Sequence, residues 1–354
     1  MAAVKQLKEL FADAEVGKMS NMKGLIDSTK RFDYTRQWMT TGDIKGRSPL
    51  LIASMNGCST VVELIFEEII EPTPNEDLRK SYINFQDDKG RSSLFYAVAE
   101  DHLGIVKVLV ENGADMEAIT SDKHALPGST ALMACAEKNN VECFDFLIEK
   151  GANILVTRND GADATYIAAR YGHQEILERI LEMDDARLLV NRSTFHGRTA
   201  FITSAFQGHI AICQILLRLV DNINHQDEAG ITALMYASRE GNVELVKWIF
   251  ENNGNIDLQD TSGEKALNYA IKYKQIEVVK FLRICKVKWL RKLAAGSQEV
   301  DIFKLLVQKA RASKIDSNSK KENLPNMRRR NSTKSTNSTN SRRRKSLFPG
   351  AKLC

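Results

Sequence analysis

The chain has 354 residues, of which 43% are hydrophobic and 27% charged, as is typical of a folded soluble protein. The first ten residues contain no apolar run, and the most apolar stretch, residues 210–220, includes Gln214 and Arg218, so we expect neither a secretory signal nor a transmembrane segment. The net charge of +5 is uneven, because residues 313–354 carry a net charge of +10 and leave the remainder mildly acidic.

The six cysteines show no C-x-x-C spacing. Four of the first five fall on predicted helices, which favours free, buried thiols in a reducing compartment. We therefore expect a cytoplasmic or nuclear protein.

Residues 1–42 are predicted to form a helical pair. Leu7, Leu10 and Phe11 share one helical face, Gly17 separates the two helices, and residues 19–26 supply a second apolar set. We interpret this pair as an N-terminal cap for the repeated units that follow, because its lysines would give it one polar side.

The unit that begins at Gly230 shows the repeated pattern most completely. Thr232 is placed to cap a first helix, Leu234 and Ala237 lie one turn apart on its apolar face, and Gly241 ends it. A second amphipathic helix follows and ends near residue 253. Two helices of this length cannot bury both apolar faces alone, so the unit needs neighbours.

The neighbours are present, each with a turn glycine at the same place. These glycines are Gly46, Gly90, Gly128, Gly161, Gly197, Gly230 and Gly263, separated by 44, 38, 33, 36, 33 and 33 residues. A period of about 33 residues made of a β-turn and two helices, with Ser48-Pro49-Leu50 or a relative of it opening the first helix, resembles the ankyrin repeat family. The resemblance implies an all-α ankyrin-repeat solenoid with β-turn fingers.

Seven repeats are assigned on this basis. They span about 43–86, 87–124, 125–157, 158–193, 194–226, 227–259 and 260–284. Within the first, Pro72 and Pro74 are predicted to end the second helix and send the chain into an exposed loop, which is either part of a binding face or a passive spacer. Residues 285–312, with apolar residues at helical spacing on both sides of Gly296, are predicted to be a C-terminal helical cap.

No enzyme signature is found, neither a phosphate-binding glycine loop nor a G-x-S-x-G or H-E-x-x-H motif, and no catalytic residue, cofactor or metal is predicted. His102, His173 and His209 suggest a metal site at first. However, each stands 12 residues after a turn glycine, and equivalent positions in stacked repeats lie about 8–10 Å apart, too far for one zinc.

Binding is the function that the resemblance implies. Ankyrin repeats bind protein partners on their concave face, through the finger and through positions 9 and 10 after the turn glycine. Carried onto this sequence, the candidate partner-binding residues are Arg47, Met55, Arg91, Arg170, Tyr171, Phe195, His196, Arg198, Phe206, Arg239 and Tyr273. The residues of the fourth and fifth repeats form the predicted centre. In the alternative, Tyr171, Phe195 and Phe206 pack against neighbouring repeats.

The tail, residues 313–354, has too few large apolar residues to fold and is predicted to be disordered. Ser332 and Ser346 each follow a basic cluster, which resembles the sites of basophilic protein kinases. The same clusters suit a nuclear-import signal, nucleic acid or an acidic membrane, and a merely solvated tail is a further interpretation.

We therefore expect a monomeric, non-catalytic scaffold or adaptor that binds a protein partner through the concave face of the solenoid. The alternative is a nucleic-acid or chromatin-associated regulator in which the basic tail supplies salt-dependent affinity.

Overall fold

The computed structural model describes residues 43 and 45–296, with side chains through residue 287. The chain divides into two units, residues 1–288 and 289–354, and only the last turns of a helix are described in the second. The predicted N-terminal cap, the end of the C-terminal cap and the tail lie outside the described residues.

Residues 45–296 contain sixteen α-helices and no β-strand, as the sequence predicts. A π-helical turn, Phe66–Ile70, extends the second helix. The helices are α1 Pro49–Met55, α2 Ser59–Ile65, α3 Glu76–Ile83, α4 Ser93–Ala99, α5 Leu103–Glu111, α6 Ala131–Lys138, α7 Val141–Glu149, α8 Ala164–Tyr171, α9 Gln174–Leu181, α10 Ala186–Asn191, α11 Ala200–Gln207, α12 Ile210–Leu216, α13 Ala233–Glu240, α14 Val243–Glu251, α15 Ala266–Lys272 and α16 Ile276–Gly296.

The first helix of each repeat is α1, α4, α6, α8, α11, α13 or α15, and each packs against the first helices before and after it. A Ser, Thr or Asp two residues after the turn glycine caps all but α15; Thr232, for example, accepts a hydrogen bond from the Met235 N–H at 3.3 Å. Small side chains stand seven residues after the glycine, where the helices approach closely. These residues, Ala53, Ala97, Cys135, Ala168, Ser204, Ala237 and Ala270, are 0% exposed.

The turns between first helices form fingers that are joined by one repeated hydrogen bond. For example, Glu228 N, two residues before the turn glycine Gly230, donates to His196 O, one residue before the preceding turn glycine Gly197, at 3.1 Å. The same bond recurs between the other neighbouring fingers. The donors are Asp88, Asn159, Phe195, Glu228 and Thr261, and in the lengthened third finger the donor is Ser121. The fingers are therefore fixed to one another through their backbones.

The insertion in the first repeat contains the predicted exposed connection and, after it, a helix that was not predicted. Beyond Pro72 and Pro74 the chain forms α3, capped by Asn75, and Tyr82 and Ile83 at its end are buried in the core. The prolines follow the end of the preceding helix and lie in an exposed connection, residues 71–75, and the apolar end of α3 then packs against the core.

Candidate functional site

The predicted binding face is recessed at both ends of the described repeats. A concavity of about 520 Å³ lies over the first two fingers, and one of about 510 Å³ lies over the seventh. Only residues of fingers and first helices line them. The first is lined by Lys45, Arg47, Met55, Asp88, Lys89, Arg91, Tyr96 and Glu100, and the second by Asp260, Ser262, Glu264, Asn268, Tyr269, Ile271 and Lys272. This surface of fingers and first helices is called the concave face below.

Arg47 and Arg91, at the first two fingers, are held by acidic residues of their own turns. Arg91 Nη2 lies 2.7 Å from Asp87 Oδ2, and Arg47 Nη2 lies 2.6 Å from Asp43 Oδ2. Burial alone would raise the pKa of Asp87, but hydrogen bonds from Arg91, Tyr96 and Lys89 together outweigh it and leave that pKa below its ordinary value. Both guanidinium groups therefore stabilise the fingers, which leaves fewer of their donors for a partner; half-buried Met55 lies beside Arg47, Sδ to Nη1 3.8 Å.

Aromatic rings and arginines alternate along the concave face of the last three repeats. The guanidinium of Arg198 lies 5.4 Å from the Tyr236 ring centre, and the Tyr236 and Phe206 rings meet edge to face at 5.1 Å. Arg239 lies between two rings, 5.2 Å from Phe206 and 5.3 Å from Tyr273. Four predicted residues thus form one row, in which a cation is held against aromatic faces.

Tyr236 and Asp227 anchor this row and were not among the predicted residues. Tyr236 Oη donates to Asp227 Oδ2 at 2.7 Å, and burial, together with this hydrogen bond, raises the pKa of Tyr236 to about 12. Arg198 Nε lies 3.5 Å from the same oxygen. The signal was present in the sequence, because an Asp three residues before the turn glycine and a Tyr six residues after it also occur around Gly90 and Gly263.

Replacing Tyr236 with Phe is expected to lower the free energy of unfolding by about 1–3 kcal/mol, because a buried carboxylate loses a hydrogen bond. Tyr269→Phe is the matched control, since its hydroxyl donates to Asp260 at 2.6 Å in a more exposed setting, and its effect should be smaller. Urea unfolding of both variants measures the difference. Equal decreases in the free energy of unfolding would show that burial of Asp227 does not strengthen the contribution of its hydrogen bond to stability.

The remaining predicted residues form no single cluster. Phe195 stands at a fingertip with 68% of its surface exposed, although its backbone N–H donates to Asp160 O at 3.0 Å. Tyr171 is 41% exposed, with Arg170 at 5.8 Å from its ring centre. His196 is exposed, with Nδ1 3.6 Å from Glu228. Half-buried Phe206 thus packs against a neighbouring repeat, whereas Phe195 keeps most of its surface exposed and Tyr171 stacks on His173 of its own repeat, with ring centres 5.9 Å apart.

The three histidines considered for metal binding have a structural use. Nε2 of His102, His173 and His209 lies 3.3, 2.9 and 3.1 Å from a carbonyl oxygen of the preceding repeat. Each of these carbonyls belongs to the residue nine positions after a turn glycine, and Gln275 makes the same bond to Arg239 O. Within the described part of the chain, no group of three or more His, Cys, Asp or Glu side chains is arranged to hold a metal ion.

Two further predictions concern regions that the structure covers in part or leaves out. No helix among residues 45–296 is both long enough and apolar enough to cross a bilayer. Ser332 and Ser346, the predicted phosphorylation sites, lie outside the described residues.

Comparison with known proteins finds the same repeat. The family model described as "Ankyrin repeats (3 copies)" matches residues 10–120, 118–191 and 201–292. Among similar proteins are the Caenorhabditis elegans ankyrin repeat and KH domain-containing protein mask-1, 28% identical over 36% of this chain, and the human ankyrin repeat and SOCS box protein 3, 25% identical over 37% of it. The rat nuclear factor NF-kappa-B p105 subunit is 25% identical over 40% of the chain.

These matches span 4%, 31% and 15% of the respective relatives' own lengths, so the similarity concerns the repeats and not the whole proteins. The family model, by contrast, covers most of this chain. The chain therefore belongs to the ankyrin repeat family, whose repeats generally mediate protein–protein interaction.

Proposed function

We propose that this protein is a non-catalytic scaffold or adaptor that binds a protein partner through the concave face of its fourth to seventh repeats. The observation that carries the proposal is Phe195, a large apolar side chain that is 68% exposed on a finger whose backbone is hydrogen-bonded to the fingers on either side. An exposed aromatic group on a rigid support binds without the entropy cost of ordering a loop.

The row that begins at Arg198 supplies the rest of the site. Arg239 is held between two rings before any partner arrives, so little side-chain entropy is lost when its donors are used. Tyr171 and Tyr273, 41% and 43% exposed, offer aromatic surface on either side of the fifth and sixth repeats. Aromatic residues and arginine are the side chains in which interface energy concentrates.

The names of the relatives support a role for the ankyrin repeats as an interaction module that occurs in different proteins. Their names join ankyrin repeats to a KH domain in one protein and to a SOCS box in another. The nucleic-acid alternative rests on the basic tail, which lies outside the described residues, and neither the repeats nor the relatives support it. Localisation in the cytoplasm or nucleus and a kinase acting on the tail stay predictions.

The proposal is tested with the full chain carrying Phe195→Ser, immobilised to capture partners from an extract of the source organism. Burial of one phenylalanine contributes about 1.5–3 kcal/mol, so we expect capture to weaken about tenfold or more. Leu188→Ser is the matched control, because Leu188 on α10 is 54% exposed and lies outside the predicted set. If both variants keep their melting temperature and capture equally well, the site lies elsewhere.

A further inference from the structure

One position of each first helix forms a column along the concave face. It stands nine residues after the turn glycine, and from the third to the seventh repeat it holds Glu137, Arg170, Phe206, Arg239 and Lys272. The first four are half-buried and Lys272 is exposed. The column thus presents, in order, an anion, a cation, an aromatic ring and two cations.

The column is rigid because the next repeat fixes its backbone. The carbonyls of Glu137, Arg170 and Arg239 accept hydrogen bonds from His173, His209 and Gln275 at 2.9, 3.1 and 2.9 Å. Three of the four junctions along the column are thus fixed at the column itself, and between the fifth and sixth repeats Asn242 Nδ2 donates to Gly208 O, two residues after Phe206, at 3.4 Å.

The cations of the column keep donors for a ligand. Neither Arg170 nor Lys272 has a carboxylate within 4.0 Å among the described residues, and each lies near the ring of a neighbouring tyrosine. Arg239 lies between two rings, and its Nε lies 3.1 Å from a carboxylate oxygen of Glu240. Its terminal nitrogens remain for a bidentate bond to a carboxylate.

The acidic groups that face this part of the column are already engaged. Glu240 pairs with Arg239, and Asp260 accepts the hydroxyl hydrogen of Tyr269 at 2.6 Å. Glu264 accepts a hydrogen bond from Asn268. The donors to Asp260 and Glu264 are neutral groups, so these hydrogen bonds position the two carboxylates without neutralising them. The column itself carries three cations, Arg170, Arg239 and Lys272, and the aromatic ring of Phe206 lies between the first two in the order of the repeats.

We propose that the partner segment on this face is an extended acidic peptide that matches the column, one side chain per repeat. Packed helices lie about 8–10 Å apart, and a chain in the extended polyproline II conformation advances about 3.1 Å per residue with three residues per turn, so the side chains on one side of it recur every third residue at about the same spacing. The peptide places a basic residue opposite Glu137, an acidic residue opposite Arg170 and an apolar residue opposite Phe206. Two further acidic residues lie opposite Arg239 and Lys272. This inference rests on the proposed function and names the chemistry of its partner.

A fluorescently labelled synthetic peptide of roughly 13 residues tests the pattern. It carries Lys, Glu, Leu, Glu and Glu at every third position, separated by pairs of Ser and Thr, and is titrated into the full chain in both the forward and the reversed order. Binding of either order supports the inference and fixes the direction of the segment. Equal binding of a scrambled peptide of the same composition, or preferential binding of a single-stranded oligonucleotide, would overturn it.

A charge exchange shows whether the peptide lies on the column. Arg239→Glu is expected to weaken binding about tenfold or more, and replacing the facing Glu of the peptide with Lys should restore it. Lys247→Glu, an exposed change on α14, is the control and should have little effect. Absence of rescue overturns the inference. The proposed function fails separately, because only the Phe195→Ser capture experiment tests it.

Discussion

Replacing Asp163 with Asn is expected to stabilise the protein by about 1–3 kcal/mol at pH 7.5 and to have little effect at pH 4. Asp163 caps α8, and its Oδ1 accepts a hydrogen bond from the Tyr166 N–H at 2.9 Å, a bond that Asn retains. Its Oδ2 is buried without a hydrogen bond. Arg192 Nη1 lies 3.5 Å from that oxygen and donates instead to Leu155 O at 2.8 Å.

The sign of the pH dependence follows from the direction of the shift. Burial raises the pKa of Asp163 from 3.8 to about 6, so the folded state binds the proton more tightly than the unfolded state does. This group therefore favours folding below pH 4, and the contribution is lost as pH rises through 6. The Asn variant lacks this titrating group, so the difference in free energy of unfolding between the two proteins should grow between pH 4 and 6.

Urea unfolding of the wild type and the variant at matched pH values measures that difference, and all other titrating groups are common to both. Asp163→Thr, which copies the cap of the fifth and sixth repeats, is a second test of the same kind. A difference that does not change with pH would show that the carboxylate is neutralised by its ion pair and not by burial.

The periodic part of the fold was predictable because each repeat has the same local requirements. Each repeat needs a positive φ at its turn, a cap on its first helix and a small residue where the helices touch, and each need restricts the amino acid at one position. The turn glycines meet the first need, and Gly230, for example, has a φ of 75°. The insertion was not predictable in this way. Pro72 and Pro74 determine only where a helix ends, whereas the burial of Tyr82 depends on residues distant in sequence.

The candidate site was predictable as a face but not as a set of contacts. Phe195 and Phe206 have the same side chain and were both assigned to the centre, yet one is 68% exposed and the other half-buried. The difference comes from the next repeat, where Tyr236 and Arg239 cover Phe206. The amino-acid sequence of the neighbouring repeat determines which side chains that repeat covers. The sequence of a single repeat therefore does not predict which of its side chains are buried.

Replacing Gly90 with Ala is expected to have the largest destabilising effect, about 3–5 kcal/mol. The residue has a φ of +73°, which costs about 1–2 kcal/mol for a residue with a side chain. In addition, an added Cβ would clash with Ser121 N and lie 3.0 Å from Thr120 C, which are backbone atoms of the next finger and cannot rotate away. The hydrogen bond from Ser121 N to Lys89 O, 2.8 Å long, joins the two fingers at this point.

Gly263→Ala separates the two causes, because Gly263 has a similar φ of +79° and nothing within 4 Å of an added Cβ. Its free energy of unfolding should fall only by the cost of a positive φ for a residue with a side chain, about 1–2 kcal/mol. Urea unfolding, with hydrogen exchange of the Ser121 amide as a local readout, compares the variants. If Gly90→Ala loses no more than Gly263→Ala, the close approach of the fingers contributes nothing to stability; a larger loss, with faster exchange at Ser121, assigns the difference to the contact between fingers.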